Sequence, residues 1–240
     1  MIPILLSIIA GLSTLLGCIP IFIKIKRVED FITISLSFSM TIMILVSIFD
    51  LIPESLNYLL ENYNLIFGLI ISILVFILGY LSIDLINNKI KKNNTLYKIG
   101  FISLISLMFH NVLEGIIVYM TTLSNIRLGI KICIAIILHN IPEGLSISIP
   151  LYYSGKSRGR VLFLTIIAAL SEPLGALLSY IFLNHIINKL LISYMLLFVS
   201  GIMISLCIND IYIEIKNNNH KKILIGIILA IIMFSLSILI

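Results

Sequence analysis

Apolar residues fall in eight long blocks, at roughly 2–23, 31–52, 65–87, 99–122, 129–152, 161–182, 191–212 and 223–240, with short polar stretches between them. Each block is close to the 20 or so residues that a helix needs to cross the hydrocarbon core of a bilayer. The pattern predicts an all-α, polytopic membrane protein with eight transmembrane helices, forming one transmembrane domain over 1–240. The first block has no basic residue before it and Lys24 after it, so it is read as a span and not as a cleavable signal.

Composition agrees with the pattern. The chain is 60% hydrophobic and 11% charged, where a soluble domain carries about 25% charged residues. Cys18, Cys133 and Cys207 all lie inside apolar blocks with no paired spacing, and are read as small membrane-buried hydrophobes.

The net charge of +5 changes the picture only through its distribution. Thirteen of the sixteen bases lie after odd-numbered blocks: Lys24, Lys26, Arg27, then Lys89, Lys91, Lys92, Lys98, then Lys156, Arg158, Arg160, then Lys216, Lys221, Lys222. The opposite side holds only Arg127, Lys131 and Lys189. By the positive-inside rule the basic side is cytoplasmic and both termini face outward. The bases are a topology signal, and no nucleic-acid partner is implied.

The acids carry the chemistry. Glu114, Glu143 and Glu172 each fall near the middle of a block, where an ionised group costs roughly 2.5–3.5 kcal/mol even on lenient insertion scales. No Lys or Arg is placed in the membrane to pair with them. Protonation, mutual hydrogen bonding or a bound cation must compensate. The fourth block contains HNVLEG at 110–115 and the fifth HNIPEG at 139–144. His110 and Glu114 stand one helical turn apart on one face, about 6 Å along the axis, and His139 and Glu143 repeat the arrangement on the antiparallel neighbour. Asn111 and Asn140 can reach a shared cavity, and Glu172 brings a third carboxylate. Such nitrogen and oxygen ligands suit zinc or ferrous iron. Pro142 and Pro173 oppose the carbonyls of Leu138 and Ala169, which predicts broken helices at mid-membrane, HNIPEG being the opened half.

A second duplication lies at the block ends. Asp50 and Glu54 close the second block and Asp210 and Glu214 the seventh, both as Asp-x3-Glu. With opposite directions of travel they fall at opposite faces, outer and inner, and suit gates or relays for a cation. The stretch 53–64 is read as an acidic outer loop. Asp84 is a weaker candidate of the same kind.

These motifs, together with SEPLG in the sixth block, resemble the ZIP family (zinc- and iron-regulated transporter-like proteins), in its small bacterial type, over the whole chain. The resemblance implies uptake of divalent metal into the cytoplasm across the cell membrane. Zinc is the typical ion, with iron, manganese, cobalt and cadmium also carried. It implies one metal position at His110, Glu114, His139 and Glu143, and a second at Asn111, Asn140, Glu143 and Glu172 with Glu114. It further implies a 3+2+3 inverted-repeat helix arrangement, a homodimer, and no cofactor beyond the transported ion. Two features depart from the family. Val112-Leu113 stands where a proline usually precedes the glutamate, and the 88–98 loop lacks histidines. His185 and His220 are read as solvated. The rivals are a metal exporter, a monovalent-ion channel and a membrane-embedded metalloenzyme. Asn follows each first His where an HExxH protease needs Glu.

Overall fold

The computed structural model describes residues 1–89, 94–182 and 189–238, without the side chains of 84–89, 189 and 238. Lys91, Lys92 and His185, and the side chains of Asp84, Lys89 and Lys189, lie outside that description. Eight helical spans are long and apolar enough to cross a membrane: α1 Ile2–Phe22, α2 Val28–Asn62, α3 Leu65–Ile83, α4 Thr95–Ser124, α5 Ile126–Tyr153, α6 Arg158–Phe182, α7 Leu190–Ile215 and α8 His220–Ser237. No strand occurs among the described residues. The protein is an all-helical, multi-pass membrane protein.

Burial sorts the spans. The most apolar stretch of α4 and of α7 is 67% buried, against 22% for α3 and 17% for α8, so α4 and α7 are central and α3 and α8 peripheral. α4 packs along α5 and α6, and α1 packs along α5 and α6. α3 lies along α7, and α8 along α2. α2, α4, α5 and α7 thereby close a ring of neighbours. Ile8, Phe67, Leu78, Tyr180 and Ile232 project outward, as lipid-facing surface requires. The three cysteines are buried and free.

Three local features differ from the sequence pattern. α2 does not stop near residue 52: the helix continues to Asn62, so most of 53–64 is helical and Glu61 is on a helix. Ser55 is buried and donates to the Ser193 carbonyl of α7 at 3.0 Å, so the amphipathic last turns of α2 dock on a neighbour and persist. Second, α5 and α6 run unbroken through Pro142 and Pro173. A proline removes one main-chain bond, and neighbouring helices and hydroxyls keep such a turn helical in a membrane. The carbonyl deprived of its helical donor is that of Leu138, while Ser39 of α2 donates to the Pro142 carbonyl itself at 2.6 Å and fastens α2 to this turn. HNIPEG is therefore as regular as HNVLEG. Third, the irregular turns lie elsewhere, as π-helical turns at Ser47–Leu51 in α2 and Cys207–Ile211 in α7.

Candidate metal centre

The two hexamers face each other. His139 Nε2 lies 2.5 Å from Glu114 Oε1, and His110 Nε2 lies 3.1 Å from the same oxygen. His110 Nε2 is also 3.5 Å from Glu143 Oε1. The two imidazole centroids are 6.2 Å apart. One ligand atom from each of His110, Glu114 and His139 falls within 4.8 Å of the others, the spacing of a set that can close on one ion. His110, Asn111, Asn140, Glu143 and Glu172 are completely buried, Glu114 is nearly so, and His139 is half-buried.

The asparagines act in two directions. Asn111 donates from Nδ2 to the Ala168 carbonyl of α6 at 3.0 Å. Asn140 donates to the Ala10 carbonyl of α1 and to Glu172 Oε2, both at 3.0 Å. The amide hydrogens thus tie α4 to α6 and α5 to α1 and α6, while the amide oxygens stay free. Six buried oxygens have no hydrogen-bond donor among the described residues: Asn111 Oδ1, Asn140 Oδ1, Glu114 Oε2, Glu172 Oε1 and both oxygens of Glu143. Buried acceptors are ordinarily satisfied, and leaving them bare is costly. Such a cluster offers a cation six unclaimed oxygens beside two imidazoles.

Helix contact sets the spacing. Gly115 of α4 lies against the Glu172 carbonyl and Gly175 of α6 against the Val112 carbonyl, so neither site has room for a Cβ. Small residues facing each other let the two backbones approach closely.

A cavity of about 600 Å³ reaches the cluster from one side, bordered by Asp50, Glu54, Tyr58, Glu114, Thr121 and His139. Asp50 and Glu54 therefore belong to the approach to the cluster, and Tyr58 donates to Glu54 at 3.1 Å. Asp210 and Glu214 do not form an open mouth. Asp210 is buried and meets the Lys98 ammonium at 2.8 Å, while Glu214, one turn on, is half-buried. Each Asp-x3-Glu starts inside one of the two π-helical turns, a geometry frequent at functional sites. The sequence placed Lys98 only among the loop bases, and its pairing with Asp210 was missed because α4 begins at Thr95, four residues before its apolar block.

A family model described as ZIP Zinc transporter matches residues 84–237. Curated relatives align over nearly the whole chain. The protein called zinc transporter ZupT of Chlorobium luteolum is 30% identical, covering 98% of this chain and 96% of the relative. The proteins of the same name in Clostridium perfringens and Streptococcus mutans are 28% and 27% identical, each across 98% of this chain. With the helices and the facing motifs in place, these matches show that the chain belongs to the ZIP family, whose members are transporters and not enzymes.

Proposed function

We propose that the chain is an uptake transporter for divalent metal ions, zinc foremost, and that the cluster between α4, α5 and α6 holds the ion in transit. The observation that carries this reading is the six donor-free oxygens beside His110 and His139. His110, Glu114, His139 and Glu143 form one metal position. Asn111, Asn140, Glu143 and Glu172 form the second, with Glu114 at its edge, and Glu143 bridges the two. Mixed imidazole and carboxylate ligands bind zinc and ferrous iron and admit manganese, cobalt and cadmium, while amide and shared carboxylate oxygens keep the ion exchangeable. The relatives named as zinc transporters support zinc as the first ion to try.

The direction rests on charge. The cavity side is lined by Asp50 and Glu54, and the bases concentrate at the other end of the helices. On the positive-inside rule the ion enters from outside the cell membrane and leaves into the cytoplasm past Asp210 and Glu214, with both termini outside. Spans α1–α3 and α6–α8 act as inverted repeats around α4 and α5. The pairing of α3 with α7 beside that of α8 with α2, and of α1 with α5 beside that of α6 with α4, supports this arrangement.

Flux of radiolabelled zinc, iron and manganese into proteoliposomes of known protein orientation tests the reading. Saturable zinc entry from the cavity side is expected, falling to background for Glu143→Ala. No flux of any divalent ion would overturn the function, flux only from the basic side would reverse the direction, and undiminished flux in the variant would overturn the site.

A further inference from the structure

Lys98 stands in the first turn of α4, and its Nζ lies 2.8 Å from Asp210 Oδ1 in the π-helical turn of α7. The Asp210 side chain is 2% exposed, whereas that of Lys98 is 28% exposed. A carboxylate so enclosed needs a cation, and the partly exposed Lys98 side chain at the helix entrance supplies its ammonium. The pair ties the basic ends of α4 and α7 together.

His110 lies twelve residues beyond Lys98, about 18 Å along the helix axis. Ser106 and Ser103 lie one and two turns back from His110 on its own face. Both are buried, and both hydroxyls are without a hydrogen-bond partner among the described residues. Ile99, Ile102 and Leu107 of α4, Met43 of α2, Ile147 and Leu151 of α5 and Ile211 of α7 fill this half of the ring, all fully buried. The cavity described above reaches the cluster from the opposite end. Among the described residues, the molecule is open on one side of the cluster and filled by buried apolar side chains on the other. That filled side nevertheless carries the two buried hydroxyls of Ser103 and Ser106.

We propose that the Lys98–Asp210 pair is the inner latch of the protein: closed, it keeps the Ser103–Ser106 stripe dry, and opened, it wets that stripe and joins the cluster to the lysine-rich side. Calling this opening a transport step rests on the function proposed above; the control of access does not. An alternating path must close on one side while it opens on the other. An ion pair at the membrane edge is a contact that water can replace when the helices part.

A thiol placed on the stripe reads the latch. Ser103→Cys is made in full-length protein carrying Cys18→Ala, Cys133→Ala and Cys207→Ala, and is treated in sealed vesicles with a charged, membrane-impermeant methanethiosulfonate added at the lysine-rich face. Adding Lys98→Gln should raise the modification rate at least tenfold. Lys98→Arg, and the exchanged pair Lys98→Asp with Asp210→Lys, should keep it slow. A rate within twofold of the parent in Lys98→Gln overturns the latch, and so does an exchanged pair as fast as Lys98→Gln. Ser72→Cys in α3, buried away from the stripe, serves as the control. A parallel rise there would mean that the pair holds the whole fold together, which also overturns the proposal. If zinc flux is absent in every protein while the rates follow the expected order, the transport reading fails and the latch stands.

Discussion

Asn140 donates one amide hydrogen to the Glu172 carboxylate and the other to the Ala10 carbonyl, which leaves its own oxygen bare in a fully buried position. One side chain thus orients a carboxylate of α6, fixes α5 to α1 and offers an acceptor to the cluster. Asn140→Ala removes all three. Lost orienting contacts around a metal typically cost about 10–100-fold in affinity, and a drop of that size is expected for zinc, measured by calorimetry on protein in detergent. Asn140→Asp keeps an oxygen but loses both donors, and should fall between the two. Affinity equal to the parent in Asn140→Ala would remove Asn140 from the site.

Glu143 makes the opposite trade. Both of its oxygens are buried and without a hydrogen-bond donor, with His110 Nε2 standing 3.5 Å from Oε1, so in the metal-free protein the carboxylate is poorly compensated. Glu143→Gln removes a buried charge while keeping a polar group of the same shape, and should stabilise the metal-free protein. The parent should gain about 2.7 kcal/mol when zinc is present at a hundred times its Kd, and the variant should gain much less. Thermal unfolding with and without zinc checks both signs. A variant that is less stable without metal and equally stabilised by zinc would contradict the bridging role.

Asp50 and Glu54 border the cavity without closing on the cluster, so their effect should be long-ranged. Charges lining a cleft raise the local concentration of an oppositely charged ligand, and salt screens the effect within about 10 Å at 0.1 M. Asp50→Asn with Glu54→Gln should raise the KM for zinc up to about tenfold in low salt. The defect should shrink as salt rises, with little change in maximal rate. A fall in maximal rate at constant KM would place these acids in the moving machinery instead.

Much of this was legible in the sequence because the membrane makes polar residues conspicuous. The His110/Glu114 and His139/Glu143 spacings needed only helical geometry to become one cluster, and the eight spans needed only length and hydropathy. What escaped depended on packing. α2 continues to Asn62 because Ser55 and its neighbours dock on α7, a contact that no local pattern announces. Pro142 leaves α5 intact because neighbouring helices hold it, so a rule about isolated helices overstates the break. Lys98 stood just outside an apolar block, and its partner is more than a hundred residues away. The donor-free oxygens were invisible because the sequence names amides without saying which end each one spends.

The seam between α4 and α6 gives the sharpest separation of packing from binding. A Cβ at Gly115 would strike the Glu172 carbonyl, a main-chain atom that cannot rotate aside. Gly115→Ala should therefore force the helices apart and cost about 1–3 kcal/mol, the usual range for overpacking. Gly159, near the start of α6, has open space where its Cβ would go, so Gly159→Ala should be close to neutral and serves as the control. The collision at Gly115 falls on Glu172, the residue proposed to complete the second metal position. Zinc affinity should drop together with stability in Gly115→Ala, and should be unchanged in Gly159→Ala. Calorimetry and thermal unfolding on the same samples separate the two effects. A Gly115→Ala protein that loses stability but keeps its zinc affinity would show that Glu172 lies outside the set of ligands.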